Sequence, residues 1–513
     1  MLKLNALDRA IGFFDPERAY SRGLFRAAIG SASAYAGAAS GKRKTGFGPK
    51  GASANSTLGG AFSTLRDRAR HMVRNNGNAH AIVDVTVRHL IGTGITPLWN
   101  TGSDRVDGQI GLLWEEQVAR SDIEGELHYY AQQELAVRSM IEGGDAALRF
   151  IDQRFAFDRR TPMRLQLMEG DQVDAGRTGT YDGRNVRLGV ALGEWGRRLG
   201  YYVYPEHPGE ASIASASLSR FVPAADMRLL YRPERIGQVR GVTWLAPILL
   251  SAHDLAELMQ NTIVKTRVEA AFAGFITNGM GLPTPLPVTE SKQDGAKQYL
   301  PEPGALAELK AGQDIKFAEP KTATQFEAVA TATLRTMAIG AGLTYDQVTG
   351  DLRQANYTSL RMGRIEHRRF IEQVQFNQII PRLCQPVTQR FIDRCILAGS
   401  LRPRAEGYRH SWVPPANEPV DPKRELDADI AAVRAGRMTP QTFVALWGYD
   451  WKTVIADTEA YWKAVDKAKL TFDIDPRKPL SGQGAPAVGK PGDGKKPGED
   501  IDDDEPETEG EDE

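Results

Sequence analysis

The feature that most constrains this chain is an uninterrupted amphipathic run over residues 244–272. Apolar residues fall at Leu245, Ile248, Leu249, Leu255, Met259 and Ile263, and His253, Glu257, Asn261 and Lys265 make a polar stripe at spacing four. That period predicts one helix, and at 1.5 Å per residue it spans about 43 Å, more than a small domain is wide. Pro247 is tolerated only in the first turn, where its missing N–H costs little. Residues 274–320 cannot continue the helix, because prolines at 283, 285, 287, 301, 303 and 320 break it; short strands fit there. A second helix is expected over 326–341, with apolar residues at 326, 329, 334, 337 and 338 and a stop at Gly340 to Gly342.

The flanks read differently. Residues 1–59 are rich in Gly, Ala, Ser and Lys without apolar periodicity, which predicts a mobile arm. A helical pattern over 65–90 carries Arg66, Arg68, Arg70 and Arg74 and is interrupted at Asn75-Asn76-Gly77. Residues 114–141 fit one or two helices. The period then changes: 146–150, 164–168, 186–192 and 200–204 are short runs bounded by Gly, Pro and Asp, and read as strands of a mixed or antiparallel sheet. Residues 344–356 read as a polar loop. Residues 358–397 form a long helical stretch that Pro381 and Pro386 must kink or interrupt. Asp421-Pro422 is a cap followed by a first-turn proline, opening a small helical unit that runs to about 466. From 471 the chain is Pro/Gly/Lys-rich and then acidic, and cannot bury enough apolar surface to fold alone.

Composition excludes some classes. A chain of 513 residues with 41% hydrophobic and 25% charged content suits a multi-unit globular protein. Its net charge of −1 conceals eleven acidic residues between 499 and 513, so the body before them is mildly basic. That is compatible with nearby nucleic acid, and also with many other roles. Cys384 and Cys395 fit no disulfide framework or zinc spacing and read as core residues of a reduced compartment. No apolar run approaches membrane-spanning length. The first residues carry Asp8, Asp15 and Glu17 and no continuous apolar segment, which argues against a signal peptide and for a cytoplasmic origin.

Apparent chemical motifs fail on context. Gly46-Phe47-Gly48-Pro49-Lys50-Gly51 spells a dinucleotide-binding pattern, but no strand precedes it and no helix follows. Residues 37–42 resemble a phosphate-binding loop one residue short, with Arg43 where Ser or Thr should hold magnesium. Glu169, Asp171 and Asp174 can hold a divalent cation or form a solvated loop, and the loop is the favoured reading. His367, beside Glu366, Arg368 and Arg369, reads as a solvated helix face. The Arg66 to Arg74 cluster suits either phosphate gripping or an inter-subunit salt-bridge surface. No cofactor site, metal site or catalytic constellation is expected.

Ordered blocks carry a resemblance. Arg68-Ala69-Arg70, Arg74-Asn75-Asn76 and Leu90-Ile91-Gly92-Thr93-Gly94-Ile95-Thr96-Pro97 resemble the opening signature of lambda-type phage portal proteins. Glu142-Gly143-Gly144-Asp145 with Leu165-Gln166-Leu167-Met168-Glu169-Gly170-Asp171-Gln172 is similar to their next block. Arg232-Pro233-Glu234-Arg235-Ile236-Gly237-Gln238-Val239-Arg240-Gly241-Val242 resembles the stretch leading into their stem helix. Asp351 with Asn356-Tyr357-Thr358-Ser359-Leu360-Arg361, then Asp421-Pro422-Lys423-Arg424-Glu425 and Gly448-Tyr449-Asp450, resemble the later blocks. Thr358 stands where the pattern has Ser, and Gly144-Asp145 where it has Gly-Glu; both changes keep the chemistry. The blocks span about residues 60–470.

The resemblance implies an α+β portal fold. Its parts would be a mixed α/β wing (60–243), stem helix 1 (244–272), a clip (273–324), stem helix 2 (325–342), a channel loop (343–356), a long wing helix region (357–420) and an α-helical crown (421–470). The mobile arm (1–59) and a disordered acidic tail (471–513) would flank them. It further implies a homo-oligomeric ring, usually of twelve copies, at one capsid vertex of the virion, assembled in the bacterial cytoplasm. Double-stranded DNA would pass through it without sequence preference. Terminase, the major capsid or scaffold protein and head-tail connector proteins would be partners, with no membrane. Asp346, Gln347, Asp351, Arg353 and Gln354 would face the channel. Lys265 and Arg267 would face either the channel or the outer surface and neighbouring subunits. Rival readings are a nucleic-acid-processing enzyme using Glu169, Asp171 and Asp174, or a different virion structural protein.

Overall fold

The computed structural model describes residues 51–152, 163–210, 219–271, 275–278, 313–316, 323–353, 356–416 and 421–470, with 472, 475 and 477. The chain forms two compact units, one up to Gly448 and one from Tyr449.

The expected arm ends early. The Ser53 side chain accepts from the Ser56 N–H and starts α1 (Ala54–Gly59). Asn55 ties this helix down: its amide donates to Gly237 O at 2.8 Å, and its Oδ1 accepts from the Val239 N–H at 2.9 Å. Residues 1–50, with the two failed glycine motifs up to position 50, lie outside the described residues. Helices α2 (Phe62–Asn75) and α3 (Gly77–Ile91) are separated where the sequence predicts. Asn76 caps α3 by accepting from the Asn78 and Ala79 N–H groups. Strand β1 (Thr96–Trp99) precedes α4 (Asp104–Ala119) and α5 (Tyr129–Gly143), so residues 114–141 belong to two helices.

Strands β2 (Asp145–Asp152), β3 (Met163–Glu169) and β9 (Met227–Tyr231) form an antiparallel sheet with β2 in the middle. The strand period of two divides its side chains between two cores. Ala146, Leu148, Phe150, Leu165 and Leu230 enter the larger, mainly helical core. Ala147, Met168, Leu229 and Tyr231 enter a second core beneath a five-stranded antiparallel sheet. That sheet runs in order through β4 (Gly179–Tyr181), β5 (Arg184–Arg187), β6 (Val190–Leu192), β7 (Arg198–Val203) and β8 (Arg220–Pro223). The single strand expected over 186–192 is a hairpin. Arg187 pairs with Val190, and Leu188 and Gly189 both adopt positive φ, 50° and 80°, the signature of a two-residue type I′ turn. The cost of that backbone at Leu188 is offset by burying its side chain.

The predicted long helix begins later than expected, as α6 (Leu249–Ala271). Trp244 donates instead to Ile141 O at 3.0 Å, and turns carry the chain to Leu249, so Pro247 precedes the helix rather than occupying its first turn. Strands β10 (Phe275–Asn278) and β11 (Gln313–Lys316) pair antiparallel; most of the Pro-broken segment lies outside the described residues. Helix α7 (Ala323–Ala341) follows. The expected loop over 344–356 contains a short helix, α8 (Tyr345–Thr349).

Helix α9 (Tyr357–Val374) continues through a π-helical stretch, Gln375–Cys384, into α10 (Gln385–Leu397). Pro381 sits inside the π stretch, whose wider turns accommodate the lost donor without ending the helix; Pro386 lies in the first turn of α10. Strand β12 (His410–Val413) pairs with β1. Asp421 caps α11 (Pro422–Arg434) by accepting from the Arg424 N–H, as its sequence predicts, and α12 (Pro440–Leu446) follows. The second unit contains α13 (Trp451–Ala468), capped by Asp450. Cys384 and Cys395 are free and buried in the main core. The acidic tail lies outside the described residues.

Candidate functional site: a rooted helix pair, the loop at its base, and a buried charge chain

Helices α6 and α7 pack against each other at one end. Leu249, Ala252 and Leu255 join Ala330, Met337 and Ala338 in the main core. A Cβ on Gly340 would lie only 2.6 Å from Ile248 Cγ2, so the start of α6 meets the end of α7 and the two run antiparallel. Beyond Leu255, α6 leaves the core. Leu258, Met259, Ile263 and Val264 are 38–47% exposed there, and Val329 of α7 is 51% exposed. Isolated apolar side chains on a surface are ordinary, but Met259 and Ile263 lie one turn apart on the stripe that Leu255 begins in the core, and among the described residues nothing covers that stripe fully.

At the root, α7 closes with a Schellman motif. Gly342 takes φ +77°, and the Leu343 N–H reaches back to Ala338 O at 2.9 Å. The Thr344 N–H then donates to Gln347 Oε1 at 2.9 Å, which fixes the start of α8. Val348 is buried, and Gly350 in left-handed conformation ends the helix. Asp351 and Arg353 form a two-pronged pair, with Nε and Nη2 donating at 2.9 and 2.8 Å. Those bonds from Arg353 hold the Asp351 carboxyl down at about 2.

His367 on α9 braces this base. It is buried, with Nδ1 3.2 Å from Gly342 O and its ring edge-on to His89. Burial lowers its pKa against the pull of the Gly342 carbonyl. The solvated helix face expected for His367 is therefore wrong; the charged residues around it point outward while it turns in.

The expected channel residues do not converge within one subunit. Asp346, Gln347, Asp351 and Arg353 stand together at the root, with Asp346, Gln347 and Asp351 half-buried and Arg353 exposed. Lys265 and Arg267 are exposed on α6, and Lys265 lies about 25 Å along the helix from Ile248. Gln354 lies outside the described residues.

A second cluster went unpredicted. Arg240 and Asp145, both fully buried, meet at 2.5 Å. Arg240 also donates to the carbonyls of Val173, Leu188 and Gly170. Asp145 also receives Arg66 at 2.9 Å and the Gly241 N–H at 3.3 Å. Arg66 continues to Asp171 at 3.0 Å, and Asp171 to Arg70 at 2.7 Å. Arg70 reaches Glu169, which lies 3.2 Å from His207 Nε2. The result is a line of alternating charges from the dry interior to the surface. Burial alone would raise the Asp145 and Asp171 carboxyls; Arg240 and Arg66 for the first, Arg66 and Arg70 for the second, outweigh it and hold both below the usual range. A Cβ on Gly170 would overlap the Asp145 carboxylate, so only glycine permits the crossing.

This line corrects three expectations. Glu169 and Asp171 are neither a solvated loop nor joined by Asp174, which instead bonds Ser219 Oγ at 2.6 Å. Glu169, Asp171 and His207 do bring ligand atoms within 4.8 Å of one another, but two guanidinium groups already neutralise the carboxylates. Arg66 and Arg70 are consumed inside the subunit rather than gripping phosphate or a neighbour, leaving Arg68 and Arg74 exposed.

Two antiparallel sheets, a mainly helical core and a helix pair rooted at one end place the chain in the α+β class. Residues 40–375 match the family model described as phage portal protein, lambda family. The chain belongs to that family, which is structural and not enzymatic. Curated relatives agree. The probable portal protein of Halomonas phage phiHAP-1 is 26% identical over 71% of this chain and 73% of its own length. The portal protein of Escherichia phage N15 is 22% identical, over 80% and 86%, and portal protein B of Escherichia phage lambda 21%, over 80% and 85%. Among solved structures, a chain from the virion of a native gene transfer agent particle aligns at TM-score 0.43 with 13% identity, over 76% of this chain and 93% of that one. Among the described residues no helix is long and apolar enough to cross a membrane.

Proposed function

We propose that this chain is the repeating subunit of a closed ring at one capsid vertex, through which double-stranded DNA enters and leaves the head. Membership of the portal family supports the vertex role, and one observation carries the ring: Met259 and Ile263 continue the apolar stripe of α6 beyond Leu255 and stay partly exposed among the described residues. In a closed ring each copy offers one face to a different face of its neighbour, which would cover such a surface. Twelve copies is the number the family resemblance suggests. Helices α6 and α7 serve as the stem, with β10, β11 and the Pro-broken segment as the clip that meets terminase and later the head-tail connector proteins. The body meets the capsid or scaffold protein, and assembly takes place in the bacterial cytoplasm.

Around such a ring every lining residue is repeated as a belt. DNA that slides needs weak, phosphate-directed, sequence-blind contacts. Asp346, Gln347 and the closed Asp351–Arg353 pair would give a polar belt with a formal charge of −1 per copy, which does not adhere to a polyanion. Lys265 and Arg267 would form belts at another height on the stem. ATP hydrolysis belongs to the terminase in this reading. Class averages of the purified full-length protein test it: hollow rings of about twelve subunits are expected by the family resemblance, and a compact monomer at all protein concentrations would sink it.

A further inference from the structure

We propose that Arg361, Arg364 and Arg368 on α9 form a stripe that grips the phosphates of the duplex passing through the ring; the inference rests on the portal reading above. The three fall at i, i+3 and i+7, which places them within one narrow arc of the helix surface. Arg361 and Arg364 are exposed and Arg368 half-exposed. Their neighbours do not neutralise them. Glu366 is taken by Arg369 at 2.7 Å, and no ion pair to the three arginines occurs among the described residues. The contrast with α2 is instructive. Arg66 and Arg70 are also one turn apart, yet both turn inward onto Asp145, Asp171 and Glu169.

The helix that carries the stripe is held rigidly. Ile371 and Val374 are buried in the main core, and His367 is buried on the same inner face against Gly342. Gly363 lies against Thr344, where a Cβ would come 3.0 Å from Thr344 Cγ2. The stripe therefore sits on the helix that braces the proposed channel loop. The loop itself offers little to a polyanion: Arg353 is its one cation among the described residues and is held by Asp351. Along the axis the three arginines cover about 10 Å, and a DNA strand presents a phosphate every ~3.4 Å, so each copy can meet two or three. Guanidinium is the group best matched to phosphate oxygens, and it reads no sequence.

The test uses the full-length purified protein and a labelled duplex of random sequence, with affinity measured by anisotropy from about 50 to 200 mM salt. Arg361→Gln, Arg364→Gln and Arg368→Gln together are expected to flatten the salt dependence by about 2 or more in slope, since each lost phosphate contact removes ~0.9. A control triple, Arg105→Gln, Arg187→Gln and Arg437→Gln, removes the same charge elsewhere and is expected to keep the wild-type slope. Arg361→Lys, Arg364→Lys and Arg368→Lys together guard against misfolding, because they keep the charge and should keep the wild-type slope. An unchanged slope in the Gln triple overturns the stripe while the portal reading stands. An unchanged slope with altered ring mass assigns the arginines to a neighbouring copy and also overturns it. Wild-type protein that forms no ring and binds no duplex overturns the stripe and the portal reading together.

Discussion

Arg240 closes on Asp145 across 95 residues of sequence, and neither side chain is exposed. The pair joins the end of α5 and the start of β2 to the segment that leads into α6. Its geometry is strong: Asp145 accepts from two guanidinium groups and a backbone N–H.

Removing one partner strands the other in a dry site. Asp145→Asn is expected to destabilise the body by about 3–5 kcal/mol, as for other broken buried pairs. Urea unfolding of the variant against wild type checks this; equal midpoints would show that water reaches the pair.

The same carboxylates set an acid limit. Asp145 and Asp171 are held below their ordinary range, so the folded state binds their protons less readily than the unfolded chain. Their stabilising contribution is present above the unfolded value, about 4. It disappears as pH falls through the lower folded values. Melting temperature should be flat near neutrality and drop steeply below about pH 4, with a smaller drop in a doubly substituted Asp145→Asn, Asp171→Asn protein.

Gly170→Ala should act as a steric wedge. Its new methyl overlaps the Asp145 carboxylate, and the expected cost is about 1–3 kcal/mol, without change in ring formation for protein that folds. Hydrogen exchange at Gly241, whose N–H donates to Asp145, reads the loosening directly.

Both thiols should be inert in the native protein. Burial raises Cys384 and Cys395 to about 12, so at pH 8 a disulfide reagent should react with neither. Two equivalents should react after denaturation. Rapid modification of the native protein would contradict the packing of the π-helical stretch and α10.

On α6, Met259→Asp with Ile263→Asp should leave the monomer folded, since both side chains are partly exposed. If the neighbour covers this face, sedimentation should show monomers replacing rings.

Much of this organisation was legible in the sequence. The α2–α3 break at Asn76, the cap at Asp421, the helix of α6 and the buried cysteines all follow from local rules of periodicity and capping. The charge chain was not legible, because Asp145 and Arg240 are ordinary surface residue types and only the three-dimensional crossing buries them. The blocks that carried the family resemblance do meet there: Arg70, Gly143, Asp145, Glu169, Gly170, Asp171, Arg240 and Gly241 share one network. That explains why those stretches read as signatures without spelling any chemistry. His367 misled for the opposite reason. Its sequence neighbours are charged, but on a helix adjacent residues face different ways. The hairpin at Leu188 was hidden because a buried leucine at positive φ carries no turn signal of its own.

The close seat of Gly340 on Ile248 makes the α6–α7 pair a cantilever. The pair is clamped where Leu255 and Ala330 join the core; among the described residues α6 runs about 24 Å beyond Leu255, and α7 covers about 10 Å before Ala330. A force applied at the far end arrives at Gly342 and Leu343 as torque, and a tilt of a few degrees moves the tip by about 2 Å. The segment 342–353 is thus the part of the subunit best placed to register whatever pulls on the tip.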